Sequence, residues 1–123
     1  MKKQKYDLED RLVDYAVRII KLVEALPKSH SGLHLGKQLL RSGTSPAANY
    51  GEAQSAESRK DFIHKLKISL KELKETRIWL KIIIKSELIK PEQKIQPLLE
   101  ETEELIAIIF KSIQTVRKLE SKQ

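Results

Sequence analysis

The sequence predicts an all-α protein, an antiparallel up-and-down four-helix bundle that forms a single domain over residues 1–123. Leu, Ile, Lys and Glu dominate the composition, and only four glycines and four prolines interrupt it. Apolar residues recur at spacings of three and four over long segments, which is the period of a buried helical face. Short connections between these segments favour antiparallel packing of sequential helices. The predicted helices cover about 7–26, 31–55, 58–86 and 91–119.

The first helix is predicted over residues 7–26, where apolar positions recur at helical spacing up to Leu26. Pro27 ends this helix because proline clashes with the preceding turn and lacks the N–H that a helix needs. Asp7 and Arg11 stand one turn apart, so the sequence predicts an ion pair between them on the solvent side.

Residues 41–53, RSGTSPAANYGEA, are the only stretch dense in small and turn-forming residues. A phosphate-binding P-loop requires the pattern G-x-x-x-x-G-K-[ST] after a strand. Here Gly43 and Gly51 are eight residues apart, Glu52 follows the second glycine, and no strand is predicted before them. The pattern therefore argues against a nucleotide site.

The same stretch continues the helical spacing of the leucines that precede it. We therefore predict one helix over about 31–55, whose small residues allow a neighbouring helix to approach closely. Pro46 removes one intrahelical hydrogen bond and is predicted to kink this helix. The alternative is a split helix, with Ser45 as the N-cap of a second segment that begins at Pro46.

The third helix is predicted over 58–86 and has the clearest signals. Ser58 and Asp61 have the spacing of a capping box, in which both side chains bond to backbone N–H groups of the first turn. The side chains predicted to face the core are Phe62, Leu66, Leu70, Leu73, Leu80 and Ile84.

The fourth helix is predicted to begin at Pro91, since the missing N–H of a proline is tolerated at the first helical position. Pro97 is expected to bend this helix or delay its start. The predicted apolar band consists of Ile95, Leu98, Leu99, Leu105, Ile106, Ile109, Phe110, Ile113 and Val116.

The segment from Gln38 to Leu80 contains the pieces QLLRSGTS, ANYGEA, AESRKDFIHKLKISLKE and ETRIWL. In this combination it resembles the 23S rRNA intervening-sequence proteins, and the similarity extends more weakly over nearly the whole chain. The resemblance implies an antiparallel four-helix bundle that assembles into a homopentameric ring, without established catalytic residues. It also implies a relation to accessory proteins of diversity-generating retroelements, which are basic and work with nucleic acid and a reverse transcriptase. The matching positions are Ser45, Asn49, Glu52, Glu72, Glu75, Thr76 and Trp79, whereas Pro46-Ala47 departs from the commoner versions.

Positive charge is concentrated in residues 58–85, which carry nine Lys and Arg against three Asp and Glu, whereas the rest of the chain carries 15 against 14. The cations follow one side of the third helix, opposite its core face, with Ile78 as an interruption. Two interpretations remain open: a solvated face that keeps the protein soluble, or an electrostatic track for the backbone of RNA or DNA without base readout. The candidate binding residues are Lys60, His64, Lys67, Lys71, Lys74, Lys81 and Lys85.

A third side of the same helix, together with one position of helix four, carries apolar residues that neither the core face nor the cationic side uses. These residues either widen a seam inside the chain or form the interface of a homo-oligomer. We favour the oligomer, because burial of a tryptophan alone hides about 200 Å². The candidate interface residues are Ile68, Trp79, Ile82, Ile83 and Ile108.

Four polar residues, Arg41, Asn49, Glu52 and Arg77, are predicted to lie on or beside inward faces of the helices. The favoured interpretation is a hydrogen-bonded network that fixes the register of the helices. A pocket or a catalytic dyad is the alternative.

The sequence has no cysteine, so disulfides and thiolate metal sites are absent, which fits a reducing compartment. The basic opening MKKQKYDLED is not followed by an apolar segment, so we expect no signal peptide there, and no apolar run approaches the roughly 20 residues that span a bilayer. A di-iron bundle needs two Glu-x-x-His pairs and two further glutamates, whereas this chain offers a single Asp61-x-x-His64. We therefore predict a cytoplasmic protein, away from membranes, without metal, cofactor or enzymatic activity.

The residue patterns predict a homo-oligomer with a basic face on its third helix, and with the family resemblance they predict an accessory protein that binds the backbone of RNA or DNA through that face. The alternative is a scaffold ring that binds a protein partner, such as a reverse transcriptase, without nucleic acid. In that case the lysines serve solubility alone.

Overall fold

The computed structural model describes residues 7–121, and within that range it contains four α-helices and no strand. The all-α prediction is confirmed, while residues 1–6 and 122–123 of the predicted domain lie outside the described residues. The helices are α1 (Leu8–Ala25), α2 (His30–Gln54), α3 (Arg59–Lys85) and α4 (Gln96–Ser121), with a short 3₁₀ helix at Glu92–Lys94.

Serine side chains cap the N-termini of two helices. Ser29 Oγ accepts a hydrogen bond of 3.1 Å from Gly32 N at the start of α2. Ser58 Oγ accepts one of 3.0 Å from Asp61 N at the start of α3, which confirms the serine half of the predicted capping box. Both helices therefore begin within one residue of the predicted positions.

The small-residue stretch lies inside α2, which continues through Pro46 without a break. The single helix is confirmed and the split at Ser45 is wrong, because the residues on both sides of Pro46 keep helical hydrogen bonding. A kink at Pro46 stays a prediction. The proline ring is buried, and the Pro46 carbonyl accepts a hydrogen bond of 3.2 Å from Ser69 Oγ of α3.

Glycine brings α1 and α2 close together at one position. A Cβ atom on Gly43 would lie 2.7 Å from two side-chain carbons of Ile19, closer than carbon atoms pack. At Gly51 a Cβ atom would meet nothing within 4 Å. The close approach that the sequence predicts is therefore made by Gly43, whereas Gly51 does not need to be small for packing.

The core lies along the axis of the bundle and receives side chains from all four helices. On α3 the buried face is displaced toward α2: Ile63 and Ile83 are buried, whereas the predicted core residues Phe62, Leu70 and Ile84 are only half-buried. The cause is the long α2–α3 contact, which covers a side of α3 that a lone helix would expose.

The start of α4 differs from the prediction. Pro91 precedes the 3₁₀ helix instead of opening α4, which begins at Gln96. Pro97 lies in the first turn of α4, where its missing N–H costs no hydrogen bond, so the predicted delay of the start is confirmed. Phe110 was expected in the core but is 50% exposed.

Polar contacts join α1 to α4. Arg11 donates to Glu101 at 2.7 Å and to Glu104 at 2.7 Å, and the Glu101 bond raises the pKa of Arg11 above its usual range. The predicted pairing of Arg11 with Asp7 is wrong, since the Asp7 side chain instead caps α1 by accepting from a backbone N–H. The buried Tyr15 hydroxyl lies 2.5 Å from Thr102 Oγ1, and burial raises the pKa of this phenol.

Candidate nucleic-acid interface

The helix α3 presents two chemically different flanks on either side of its core face. One flank faces α2, and we call it the paired flank. It consists of Lys65, Ser69, Glu72, Glu75, Thr76 and Trp79. The other flank carries the predicted candidate binding residues, which we call the cationic row: Lys60, His64, Lys67, Lys71, Lys74, Lys81 and Lys85.

On the paired flank, one arginine of α2 meets two acids of α3. Arg41 forms an ion pair of 3.0 Å with Glu72 and a second, short ion pair with Glu75. Glu75 also accepts a hydrogen bond of 3.0 Å from the indole N–H of Trp79. This group therefore joins α2 to α3 and holds the tryptophan side chain along the surface.

A second ion pair on this flank joins Glu52 of α2 to Lys65 of α3 at 2.6 Å, and the hydrogen bond raises the pKa of Lys65. Arg77 pairs with Glu103 of α4 at 2.9 Å. Asn49 bonds only within its own helix, to Ser45. Arg41, Glu52 and Arg77 therefore join helices through separate ion pairs, whereas Asn49 does not. The four residues do not form the single hydrogen-bonded network that was predicted.

Hydroxyl groups fill the buried part of the α2–α3 seam. The hydroxyls of Ser42 and Thr76 share a hydrogen bond of 2.8 Å, and Ser69 donates to the carbonyl of Pro46. Both serines and Thr76 are buried, and within residues 7–121 no buried side-chain polar atom lacks a partner. The burial of Ser42 agrees with its predicted place among the small residues that face a neighbouring helix. Ser69 was not predicted to be buried, although its helical spacing between Leu66 and Leu73 was the available signal.

Contacts in the α2–α3 seam explain the structural role of several positions that match the family pattern. Thr76, Glu72 and Glu75 make bonds between α2 and α3, and Glu52 does the same from α2. Their contacts are with other side chains of the chain itself, and these contacts hold two helices in register. The arrangement therefore accounts for these residues without any ligand.

All seven residues of the cationic row are exposed, and Ile78, which interrupts the row, is exposed as well. Among residues 7–121 none of the six lysines lies within 4.0 Å of a carboxylate. The acids Glu72 and Glu75 point to the other flank, where Arg41 binds them. The positive charge of the row is therefore not neutralised by nearby side chains.

A row of unpaired lysines can contact phosphate groups as point charges, but it offers no planar fork for reading bases. Nucleic-acid binding through these residues remains a prediction. Among residues 7–121 no three His, Cys, Asp or Glu side chains are grouped closely enough to hold a metal ion, and His64 is exposed to solvent. No helix in the described part combines the length and the apolar character needed to cross a membrane.

The predicted oligomer interface needs one correction. Ile83 is 0% exposed and belongs to the core of the chain, so it is not free to contact another subunit. Ile68, Trp79 and Ile108 are half-buried, and Ile82 is exposed. Periodicity predicts a narrow core face on α3, which leaves Ile83 at the surface, whereas the contact with α2 widens the buried face enough to include it.

Five further exposed apolar residues lie on the outer sides of α1 and α2, and none of them was among the predicted interface residues. We call them the outer apolar face. The α1 residues recur at spacings of four and three, and the α2 residues lie seven apart, so each set follows one side of its helix. Its members are Val13, Val17, Ile20, Leu33 and Leu40.

The architecture and the site define an all-α four-helix bundle with a hydroxyl-lined α2–α3 seam and a basic outer surface. The model of one family, 23S rRNA-intervening sequence protein, matches residues 4–111, and the chain belongs to this family.

A solved structure is also similar to the chain: the crystal structure of a protein with unknown function from the S23 ribosomal protein family of Bacteroides thetaiotaomicron. It superposes with a TM-score of 0.81 at 37% sequence identity, and the match covers 87% of this chain and 98% of that chain. No curated protein matches the chain.

Proposed function

We propose that this protein is a non-enzymatic, cytoplasmic accessory factor that binds the backbone of RNA or DNA through the cationic row of α3. The observation that carries the proposal is the contrast within this helix: the row is exposed and its lysines are unpaired, whereas two of the three acids of α3, Glu72 and Glu75, pair with Arg41 of α2. Unpaired lysines keep their full attraction for phosphate, because no carboxylate competes for the ammonium groups.

Binding of this kind depends on charge and shape and not on base sequence. Each lysine that neutralises a phosphate releases a counterion, so the affinity falls as salt rises. Consecutive row members are three, four or seven residues apart and follow one side of a single helix, which suits an extended backbone. We therefore expect contact with several successive phosphates.

We further propose that the chain assembles into a homo-oligomer, with five as the number that the family resemblance implies. The outer apolar face supports assembly, since exposed apolar surface is recovered when a second subunit covers it. A ring requires two different surfaces that complement each other, and exposed Ile82 with half-buried Trp79 offers a second one on α3. Assembly would also multiply the cationic rows that one nucleic acid can reach.

The test of nucleic-acid binding is the affinity for a generic single-stranded RNA measured over a range of salt concentrations. Phosphate contact predicts that log affinity falls linearly with log salt, by about 0.7 per contact. Replacement of Lys67, Lys71 and Lys74 by glutamine should lower this slope by about two. A flat salt dependence, or an unchanged slope in the triple variant, would remove the proposal.

The test of assembly is the mass in solution by light scattering coupled to size exclusion. A pentamer should give about five times the 14.2 kDa of the chain. Val17→Lys on the outer apolar face and Ile82→Lys on α3 should each lower this mass while helicity is kept. A monomeric mass for the unmodified protein would contradict assembly, and an unchanged mass for both variants would contradict the choice of surfaces.

The alternative function, a scaffold that binds a protein partner such as a reverse transcriptase, is favoured by the outer apolar face. On this account the partner, and not a second copy, covers that face. A complex that survives nuclease treatment and is lost in Val17→Lys, while the mass of the protein alone is the same for Val17→Lys as for the unmodified protein, would support the alternative.

A further inference from the structure

Phe110 of α4 was predicted to lie in the core, but its aromatic side chain is 50% exposed at the surface. The other residues of the predicted apolar band of α4 are buried or half-buried. The neighbours of Phe110 along the helix at the same spacing are Glu103 and Arg117, each seven residues away and therefore on the same side of α4. Both of these residues are exposed. Phe110 thus lies on an outer line of α4 between two charged residues.

An ion pair shows where this line lies relative to α3. Arg77 donates to Glu103 at 2.9 Å, so these residues are level with each other. Arg77 is also one turn from Lys74 and from Lys81, two members of the cationic row. The line of α4 that contains Phe110 therefore borders the cationic row on the outer side of the α3–α4 seam.

The register of the seam gives the position of the ring along the row. Because α3 and α4 run antiparallel, Phe110, seven residues after Glu103, is level with Leu70, seven residues before Arg77. Leu70 lies between Lys67 and Lys74, one turn from each. Arg117 lies two turns further along, on the side of Lys60. The ring is therefore bordered by cations along the length of the row.

We propose that the cationic row and Phe110 together form a binding site for single-stranded nucleic acid, in which one base stacks on the Phe110 ring while the flanking phosphates contact Lys67 and Lys74. The inference rests on the proposed function and deepens it by naming the class of nucleic acid. Proteins that bind single strands combine a positive track with an exposed aromatic ring, since every base has a face that stacks.

A duplex does not satisfy this site, because its bases are stacked on each other and are not free to cover the ring. RNA and DNA single strands share the chemistry that the site uses, a phosphate backbone with free bases. No contact of the row distinguishes the two sugars, so we expect an oligouridylate and an oligothymidylate to bind similarly.

The experiment compares the unmodified protein with Phe110→Leu for three probes over one common range of salt concentrations: an oligothymidylate, an abasic deoxyribose-phosphate strand of equal length, and a duplex of equal length. Loss of the ring should weaken binding of the oligothymidylate at least about fivefold, the lower range for one stacked base. It should leave binding of the abasic strand and of the duplex unchanged, and it should leave the salt slope unchanged because the phosphate contacts remain.

Two variants serve as controls. Phe110→Tyr keeps an aromatic ring and should restore the affinity for the oligothymidylate. Leu119→Ala removes a side chain of α4 that is 49% exposed, close to the 50% of Phe110, and should leave all affinities unchanged. Thermal melting and the mass in solution should be unchanged for Phe110→Leu.

The failures of the two proposals are distinguishable. Absence of salt-dependent binding to every probe would remove the proposed function. Salt-dependent binding that Phe110→Leu weakens equally for all three probes, or for none of them, would overturn only the stacking site. A change of mass in Phe110→Leu would also overturn it, because the ring would then belong to a contact between subunits.

Discussion

The two flanks of α3 differ in whether their charged side chains form ion pairs, although both belong to one helix. On the paired flank, Glu72 and Glu75 bind Arg41, and Lys65 binds Glu52. On the cationic row no lysine has a carboxylate partner among the described residues. The difference shows that Glu72 and Glu75 of α3 join it to α2, which leaves the lysines on the other side of α3 without a carboxylate partner.

The largest effect is expected from crowding the seam beneath the paired flank. Ser42→Leu places a bulky side chain at a position that is completely buried against α3, and it removes the bond to Thr76. Overpacking and the lost hydrogen bond should together lower the free energy of unfolding by about 3 kcal/mol. Urea denaturation monitored by circular dichroism measures this loss of unfolding free energy. A loss as small as that of Ser42→Ala would show that the seam is not tightly packed.

A smaller effect is expected when only the hydroxyl of Thr76 is removed. Thr76→Val keeps the shape of the side chain but leaves the Ser42 hydroxyl without its partner on α3. The expected loss of unfolding free energy is about 1 kcal/mol. The double variant with Ser42→Ala should lose less than the sum of the single variants, and strict additivity would argue against the bond.

Removal of the arginine on the paired flank should cost less still. Arg41→Gln leaves Glu72 and Glu75 close together without a cation, but half of the Arg41 side chain is exposed and solvent screens the pairs. We expect a loss of about 0.5 kcal/mol at low salt, shrinking toward zero at high salt. Thermal melts at two salt concentrations measure it, and a loss that grows with salt would contradict the pairing.

The smallest effect on stability is expected from the cationic row itself. Lys67, Lys71 and Lys74 lie one turn apart in sequence and repel one another. Their replacement by glutamine should raise the unfolding free energy by about 0.3 kcal/mol at low salt. Destabilisation by this triple variant would mean that the row has partners that stabilise the fold.

The sequence predicted much of the fold because periodicity, caps and prolines are local signals. The start of α3 at Ser58 and the helical course of the small-residue stretch both follow from such signals. The Arg11 pairing was missed because a partner one turn away and a partner on α4 look equally good until the helices are packed.

Parts of the candidate site could be predicted and others could not. The exposure of the cationic row follows from its position opposite the core face, which periodicity identifies. Ile83 was misplaced because the width of a buried face depends on how far a neighbouring helix extends over it. Phe110 was misplaced for the converse reason, since it lies at the outer edge of the α3–α4 seam, where no neighbouring helix covers half of its side chain.

Two triple variants with the same change of net charge test the central claim directly. Lys67, Lys71 and Lys74 of the row are replaced by glutamine in one variant, and the paired cations Arg41, Lys65 and Arg77 are replaced in the other. Both lose three positive charges, so only position and pairing differ.

The measurement is the affinity of each folded variant for one single-stranded RNA at about 0.15 M salt. We expect the row variant to bind roughly 50-fold more weakly than the unmodified protein, which corresponds to the loss of three phosphate contacts. The paired variant should stay within about threefold, because its cations contact carboxylates of the chain, so their replacement removes no phosphate contact. Equal losses in the two variants would show that net charge alone governs binding, and would contradict the account.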